Sequence, residues 1–485
     1  MSTTTNLIDR DVKAAGNARH TLIVAVLAIA GTTFALLQAI VVPALPNIGR
    51  ALGTTSSGAA WILTANLLST AVLTPILGRA GDILGKDRVL GAVMVALAGG
   101  TLICALAPSL PIMLLGRAVQ GAGGAIYPLA FGIVRDQFPR ERTAGAIGLV
   151  SSFVGIGAGL GLIVPGFILP HLSYHWLFWL PLAVIAATTP LTIVCVPRSP
   201  ARNSASINWS SAALMATGLG GLLVAVSESG SWGWGSPMTV GVFAAAAAVV
   251  AAWVLNELRS REPLVDVRMT AERAVWTTNL AAFLLGVGMY ASIAVIPELV
   301  ELPRSSGVGF GGSAIAAGLF MLPTAAVQLA VGPYTGRIER RLGSRAQLQA
   351  GMACMLVAYV ALFGAHATTL ELLGPTIILG LGLGLGLSSL ANLIVVAVRQ
   401  DQTGVATGVN TVMRTLGGAF GAQLATTCIT ASVRHGLPTD HGFTLAFGVC
   451  AGALLVGVVS ALIIPRASRA VRRTQPAGAV AETAS

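Results

Sequence analysis

Long apolar segments, each bounded by charged residues, proline or glycine, recur along the whole chain. A helix needs about 20 mostly apolar residues to cross the hydrocarbon core of a bilayer, because each residue advances it by about 1.5 Å. Only 10% of the residues are charged, against roughly a quarter in an average soluble domain. Segments of this kind lie near residues 21–43, 58–78, 89–107, 111–134, 144–169, 176–196, 209–227, 237–256, 276–299, 313–335, 346–365, 371–398, 406–432 and 442–465. The sequence therefore predicts an all-α polytopic membrane protein with fourteen transmembrane helices.

The basic residues indicate how the predicted helices are oriented. Lys and Arg accumulate in the cytoplasmic segments that flank membrane spans. With the N-terminus in the cytoplasm, the 29 basic residues lie in cytoplasmic segments except for Arg50, Arg304 and Arg434 in outer loops and Arg117 and Arg414 within spans. We therefore expect a multi-pass protein of the bacterial inner membrane with both termini in the cytoplasm.

Other classes of protein fit these residues poorly. The net charge of +11 is spread over short gaps without a basic stripe interleaved with aromatic residues, so nucleic acid is not an expected partner. The five cysteines lie in apolar segments without CxxC spacing, so we expect no metal site. A membrane-embedded enzyme, the weakest alternative, would need a catalytic set, and the close pair His171 and His175 has no nearby acid or cysteine. We expect no enzymatic activity and no bound cofactor, with the lipid bilayer as the surrounding partner.

Two short segments share one pattern and indicate an internal repeat. Residues 78–85 read GRAGDILG, and residues 336–343 read GRIERRLG. Each begins with Gly-Arg, carries an acid at the fourth or fifth place, ends with Leu-Gly and follows a predicted span, which suggests two related halves. The predicted organisation is a cytoplasmic tail (1–20), a six-helix bundle (21–196), a linker with inserted helices 7 and 8 (197–258), a cytoplasmic loop with a second six-helix bundle (259–465) and a cytoplasmic tail (466–485).

At these residues the chain resembles the major facilitator superfamily, specifically its fourteen-helix drug:proton antiporter branch. The signature loop between helices 2 and 3 of the family is matched by Gly78, Asp82, Gly85, Lys86 and Arg88. Glycine permits the tight turn, and Asp82 can neutralise a nearby helix N-terminus or an arginine. The resemblance implies that this loop gates the transporter.

The fourth predicted span is similar to the second motif of the same branch. Residues 117–125 read RAVQGAGGA. An arginine inside a span should face the bundle interior or a cavity and hold a polar partner, and Gln120 lies one helical turn from Arg117. The resemblance implies that Arg117 and Gln120 take part in proton coupling.

The fifth predicted span resembles the antiporter motif associated with exporters. Its matching residues are Gly157, Gly161, Pro165 and Gly166, while Leu162 stands where the family has proline and Pro165 where it has glycine. The resemblance implies a monomeric secondary active transporter that exports small amphipathic molecules and is driven by the proton gradient. Because a fold does not set the direction of transport, import of a small metabolite is the alternative.

The first predicted span departs from the branch in lacking an acidic residue. Leu37 occupies the place where the branch commonly has an acid, beside Gln38, and the 18 carboxylates lie in loops, tails or near span ends. A buried acid usually pairs with a cationic drug, since an unpaired charge in a low-dielectric cavity is unfavourable. We therefore favour neutral, zwitterionic or anionic substrates, with Arg117 and Arg414 as candidates to receive an anion.

The resemblance implies alternating access, in which two halves rock about a central site near the bilayer midplane. Polar and aromatic side chains within spans tend to face the interior of the bundle. Hydrogen bonding between helices or anchoring at the membrane interface is the alternative role for each of them. The candidate cavity residues are Gln38, Trp61, Asn66, Tyr127, Asn279, Tyr290, Gln328, Asn392 and Arg414.

Overall fold

Long α-helices dominate the computed structural model of the chain, which describes residues 2–199, 206–434 and 436–465. A two-residue antiparallel ribbon, β1 (Val433–Arg434) with β2 (Leu437–Pro438), lies between the last two helices. Within the described ranges the α-helices are α1 (Ser2–Ala39), α2 (Val41–Ala51), α3 (Ser56–Leu84), α4 (Lys86–Leu106), α5 (Leu110–Gln120), α6 (Ile126–Gln137), α7 (Arg140–Ile168), α8 (Trp176–Cys195), α9 (Trp209–Trp232), α10 (Pro237–Arg259), α11 (Val267–Ala271), α12 (Arg273–Glu301), α13 (Ala314–Leu342), α14 (Ser344–Gly364), α15 (Thr369–Ala397), α16 (Thr403–Ala431) and α17 (Asp440–Ile463).

Among the described residues, 12 helices are long and apolar enough to cross a membrane: α1, α3, α4, α7 to α10, α12 to α15 and α17. The prediction of an all-α polytopic membrane protein is therefore confirmed. The prediction of fourteen transmembrane helices is not, because the predicted spans at 111–134 and 406–432 fall outside this set.

The two segments that fall short differ in their reasons. The chain between 110 and 137 is divided into α5, a 3-10 turn over Gly121–Ala125 and α6, because the glycine-rich run favours a tighter local winding. Helix α16 is continuous over 29 residues. Asn410, Arg414 and Gln423 lower its apolar character.

The internal repeat corresponds to two similar turns. Gly85 separates α3 from α4 with a φ of 103°, and Gly343 separates α13 from α14 with a φ of 83°. A residue with a β-carbon rarely adopts such angles. Glycine at the end of each repeat therefore allows one long helix to turn directly into the next.

Two separate apolar cores support the fold. The first draws mainly on buried residues of α1 to α8, including Leu97 and Phe178, together with Ala391 and Val395 of α15. The second draws mainly on α12 to α17, including Tyr359, together with Leu162 of α7. Apolar burial is the main stabilising term in such clusters, so each half is held together largely by a core of its own.

The halves meet along two pairs of helices. Helix α7 packs against α13, where Gly145 faces Gly336 and Gly155 faces Gln328. Helix α3 packs against α16, and α9 covers this second pair through an apolar cluster that includes Ile76, Met215 and Val405. The inserted helices α9 and α10 therefore lie beside the α3–α16 contact.

A buried carboxylate ties α10 to the loop that follows it. Glu257 is 3% exposed and accepts hydrogen bonds from the backbone N–H groups of Leu264 (3.0 Å) and Val265 (3.2 Å), from Trp253 Nε1 (3.1 Å) and from the Ser211 hydroxyl. These donors satisfy a charge that would otherwise be unfavourable to bury. Leu264 and Val265 in turn join the apolar cluster on α3 and α16.

Replacement of Glu257 with alanine is expected to lower the thermal midpoint of the purified protein clearly. A buried donor left without an acceptor loses about 1–3 kcal/mol, and Glu257 serves several donors. Unfolding would be followed in detergent, with Glu262→Ala as the matched control, because the Glu262 carboxylate is exposed and accepts from the surface residue Ser206. Equal midpoints for the two variants would contradict this structural role.

Candidate functional site

Asp82 links the two halves at the end of α3. Its carboxylate accepts hydrogen bonds from the backbone N–H groups of Gly404 (3.1 Å) and Val405 (3.0 Å), in the first turn of α16. These N–H groups have no partner within the helix, and the positive end of the helix dipole favours an anion there. Of the two roles that the sequence left open, Asp82 therefore caps a helix N-terminus.

Close approach of α3 and α16 makes this contact possible. A β-carbon at Gly78 would collide with the carbonyl oxygen of Gly404. Glycine at position 78 therefore brings the helices together, four residues before Asp82.

A second set of polar contacts reinforces the junction. Lys86 Nζ lies 2.8 Å from Asp136 Oδ2 and 3.6 Å from Asp82 Oδ1, and Asp136 Oδ1 accepts from Gln400 Nε2 at 2.8 Å. Arg135 donates to Val398 O at 2.9 Å and to other groups between 398 and 403. We call the contacts of Asp82, Lys86, Asp136 and Arg135 the latch, and the side of the molecule that holds them the latch face.

The remaining residues of the predicted loop lie at the same place. Gly85 forms the turn between α3 and α4 and is followed by Lys86 at the start of α4. Arg88 is exposed. The structure therefore brings Gly78, Asp82, Gly85 and Lys86 together at the latch face and leaves Arg88 at the surface.

Arg117 lies inside the first half rather than between the halves. Its side chain is 1% exposed and donates to Ile62 O (3.1 Å), Leu37 O (3.2 Å) and Gln120 Oε1 (2.8 Å). These acceptors belong to α3, α1 and α5 respectively. The guanidinium therefore joins three helices through three hydrogen bonds from its planar fork of donors.

The network continues from Arg117 on both sides. Gln120 Nε2 donates to Thr101 Oγ1 at 3.0 Å, and Asn66 Nδ2 donates to the backbone oxygen of Arg117 at 3.1 Å. No carboxylate among the described residues forms an ion pair with Arg117. A buried cation in this network is balanced by carbonyl dipoles, among them the backbone oxygen of Leu37.

A central cavity of about 30 Å³ lies between the halves. Helices α6 and α7 contribute its first wall, and α15 and α16 contribute its second wall. The space holds roughly two water molecules, so the halves must separate before a larger molecule can enter. The lining residues are Tyr127, Phe131, Ser151, Val154, Leu387, Leu390, Ala391, Thr407, Asn410, Thr411 and Arg414.

Two of the nine predicted cavity residues line this cavity, namely Tyr127 and Arg414. The Tyr127 hydroxyl donates to Gly31 O at 2.6 Å. The Arg414 guanidinium contacts Met289 Sδ at 3.8 Å. Arg414 is the cation that the cavity presents.

The other candidates lie elsewhere in this conformation. Asn279 accepts from Asn410 Nδ2 at 2.9 Å and so lies one residue behind the cavity wall. Gln328 reaches Ser151 O at 3.5 Å across the α7–α13 contact, and Asn392 donates to Glu339 Oε2 at 2.7 Å. Asn66 belongs to the Arg117 network. Gln38, Trp61 and Tyr290 are partly buried and do not line the cavity.

The glycines of α7 serve helix contacts. Gly157 and Gly161 face Thr32 and Ala39 of α1, while Gly166 faces Ile315 of α13. Helix α7 continues past Pro165 to Ile168. Small residues allow helices to pack closely in a membrane, so this segment holds α7 between α1 of its own half and α13 of the other.

Sequence reasoning missed most of the polar lining. Thr407, Asn410, Thr411 and Arg414 recur at intervals of three or four residues, which places them on one face of α16. That polar stripe in an otherwise apolar segment was the signal that could have identified them. Ser151 gave no such signal.

Apolar helices, two cores and a cavity between them define a multi-pass membrane protein. A family model described as Major Facilitator Superfamily matches residues 27–422. The chain belongs to this superfamily, and its relatives are named as transporters rather than enzymes. A solved structure, of the human organic anion transporter MFSD10 (TETRAN), superposes with a TM-score of 0.66 at 15% identity, covering 91% of this chain and 99% of that one. This likeness supports the fold.

Bacterial relatives include proteins with drug-related names. The chain is 26% identical over 422 residues to the multidrug transporter protein MdtP of Bacillus subtilis, covering 85% of this chain and 76% of MdtP. It is 24% identical over 407 residues to the lincomycin resistance protein LmrB of Listeria monocytogenes, covering 82% and 84%. An uncharacterized MFS-type transporter of Mycobacterium tuberculosis, Rv1877, is 29% identical over 389 residues, covering 79% of this chain. The match spans 56% of Rv1877, a little over half its length.

Proposed function

We propose that this transporter exports small amphipathic molecules by alternating access and takes up protons in exchange. The observation that carries the proposal is the latch, in which Asp82 of one half caps α16 of the other. Hydrogen bonds of this kind can break while each half keeps most of its own apolar core, so that two arrangements of the halves can exchange. The names of MdtP and LmrB support drug export as the physiological direction.

We propose that the latch face is cytoplasmic, as the distribution of basic residues favours. The described conformation would then be closed toward the cytoplasm, with its cavity contracted between the halves. Opening of the latch would admit substrate from the cytoplasm or the inner leaflet. When the halves then rock in the opposite direction, the latch would close and substrate would be released outside.

The proposed topology keeps fourteen spans and the fourteen-helix drug:proton antiporter branch. At about 1.5 Å per residue, the 29 residues of α16 exceed the thickness of a hydrocarbon core of about 30 Å. The segment 110–137 is of similar length and counts as one interrupted span. Residues 21–196 and 259–465 would form the two six-helix bundles, 197–258 the inserted pair with its linker, and 1–20 a cytoplasmic tail. The tail predicted at 466–485 lies outside the described residues. A monomer in the bacterial inner membrane would suffice for the cycle.

We assign proton coupling to the Arg117–Gln120 network. Changes in its hydrogen bonds would reach α1, α3 and α5 together, because Arg117 contacts all three. The proton gradient would supply the energy, with no bound cofactor. The related branch has an acid near Leu37, and the Arg117 guanidinium lies against the backbone of that residue.

Inverted membrane vesicles with an imposed pH gradient, acidic inside, test this function. We expect the protein to concentrate a neutral amphipathic dye in the vesicles and to stop when an ionophore collapses the gradient. Vesicles from cells without the protein are the control. Dye movement that does not depend on the gradient would indicate a facilitator. Dye movement in the import direction would indicate an importer, and either result would contradict this proposal.

A further inference from the structure

We infer that the central cavity binds the negatively charged group of an amphipathic monoanion, with Arg414 as its counter-charge. This inference rests on the proposed function, because it names the class of substrate that the cavity accepts. The carboxylate of an organic acid is the simplest such group. The inference depends on the charge balance, the free donors and the apolar walls of the cavity.

The charge balance of the cavity is positive. Arg414 is the charged residue of the lining, and no carboxylate is present among the lining residues. The described contact of its guanidinium is with Met289 Sδ at 3.8 Å, and thioether sulfur is only a weak acceptor. Arg117, in contrast, is satisfied by three oxygen atoms. Arg414 is partly buried, and a cation with so little compensation inside the bundle favours an anion.

The hydrogen-bonding groups of the cavity also favour an anion. Ser151 is 3% exposed, and its Oγ is buried without a hydrogen-bond partner. The hydroxyls of Thr407 and Thr411 already donate to backbone oxygens of their own helix, and the Asn410 amide donates to Asn279. The Ser151 hydroxyl on α7 and the Arg414 guanidinium on α16 therefore keep donors that no described acceptor uses, and the Asn410 amide has a second N–H to offer. One donor from each half would hold the anion between the halves.

Apolar side chains form the rest of the cavity. Phe131 and Val154 belong to the first half, and Leu387 and Leu390 to the second half. Such walls favour an apolar body attached to the charged group. A substrate with one anionic end and an apolar body therefore matches both regions, whereas a cationic drug would meet Arg414 without a counter-ion.

Binding to the purified protein in nanodiscs tests the inference with two probes of matched shape. The probes are 1-naphthylacetate and its neutral amide, 1-naphthylacetamide, titrated at pH 7.5 by calorimetry. We expect the wild type to bind the carboxylate at least about tenfold more tightly, as a charge-assisted contact at a desolvated site implies. Equal affinities, or no binding of the carboxylate, would overturn the inference.

Variants assign the preference to particular groups. Arg414→Gln should abolish it, Arg414→Lys should keep part of it because the charge remains, and Ser151→Ala should weaken carboxylate binding several-fold. Arg50→Gln is the matched control, since Arg50 is exposed and bonded to Asn47. A preference that survives in Arg414→Gln would assign the anion to another site and so reject the inference. If Arg414→Gln does not fold, the Arg414→Lys and Ser151→Ala titrations decide.

A stability measurement separates a binding role from a structural one. Because the described residues offer the Arg414 guanidinium no oxygen acceptor, Arg414→Gln should leave the thermal midpoint of the ligand-free protein unchanged or raise it. A clearly lower midpoint would indicate a structural arginine and count against the inference. Gradient-driven transport of a neutral dye by the wild type, with equal binding of the two probes, would reject the anion site but leave the exporter intact. An anion preference without gradient-driven transport would support the anion site and reject the proton-driven exporter.

Discussion

Replacement of Asp82 with asparagine is expected to reduce gradient-driven transport at least about tenfold while the protein remains folded. The carboxylate caps α16 with two charge-assisted hydrogen bonds, and hydrogen bonds to a charged group contribute about 1.5–3 kcal/mol each. An asparagine keeps one acceptor oxygen but loses the charge that the helix N-terminus favours. Since about 1.4 kcal/mol changes an equilibrium tenfold, loss of the charge should shift the protein toward conformations that are open at the latch face.

Cysteine accessibility measures that shift directly. Ala391 is 5% exposed and lines the cavity, so a cysteine at this position, with the five native cysteines replaced, should react slowly with an impermeant maleimide supplied from the latch face. In the Asp82→Asn background we expect faster labelling. Asp87→Asn is the matched control, because Asp87 Oδ1 accepts from Ser199 N, just after α8, at 2.9 Å rather than from α16. Unchanged labelling together with unchanged transport would show that Asp82 does not hold the latch.

The latch also shows where sequence reasoning ends. Gly78, Asp82 and Gly85 could be selected from the sequence because a turn between two long helices needs glycine, and because an acid beside a span has few roles. The partner of Asp82 could not be named, since Gly404 lies more than 300 residues away and any helix start offers the same free N–H groups. The packing of α3 against α16 determines which helix N-terminus Asp82 caps.

The cavity was harder to predict for a related reason. Asn66, Gln328 and Asn392 are polar residues in apolar segments, as Arg414 is, yet they bond to neighbouring helices while Arg414 faces the cavity. Residue type alone does not distinguish these roles, because both satisfy a polar group away from lipid. The stripe on α16 does distinguish them in part, since several polar residues on one helical face need more partners than one neighbour supplies.

The span count differs for a local reason as well. Among the described residues, 12 helices stand out by length and hydropathy, and the two segments that do not contain residues of the proposed sites, Arg117 and Gln120 in one and Asn410 and Arg414 in the other. Polar residues that serve a transport cycle necessarily reduce the apolar signal of a span. Weak hydropathy here coincides with the proposed site.

Replacement of Arg117 with alanine is expected to abolish gradient-driven pumping and to lower the thermal midpoint. The change leaves Ile62 O, Leu37 O and Gln120 Oε1 without their donor, and a buried acceptor left unpaired loses about 1–3 kcal/mol. It also removes a large, fully buried side chain, which adds a cavity term. Arg117→Lys should retain part of the stability, because the charge remains, but little pumping, because an ammonium cannot match the planar fork that reaches three helices. Arg304→Ala is the matched control, since exposed Arg304 contacts Phe310 O in the loop between α12 and α13.

A comparison of gradient-driven pumping with gradient-free exchange distinguishes a role of Arg117 in proton coupling from a purely structural role. In the Arg117→Lys vesicles, exchange of labelled for unlabelled dye without a pH gradient should continue at near the wild-type rate, while uptake driven by the gradient fails. If both activities were lost and the thermal midpoint fell as well, Arg117 would be a structural arginine. The group that carries the proton would then be another residue. Normal pumping by Arg117→Lys would show that coupling does not need the planar guanidinium, because a single positive charge would then be sufficient. The exchange measurement therefore tests the assignment of proton coupling to α5 independently of how stable the variant is.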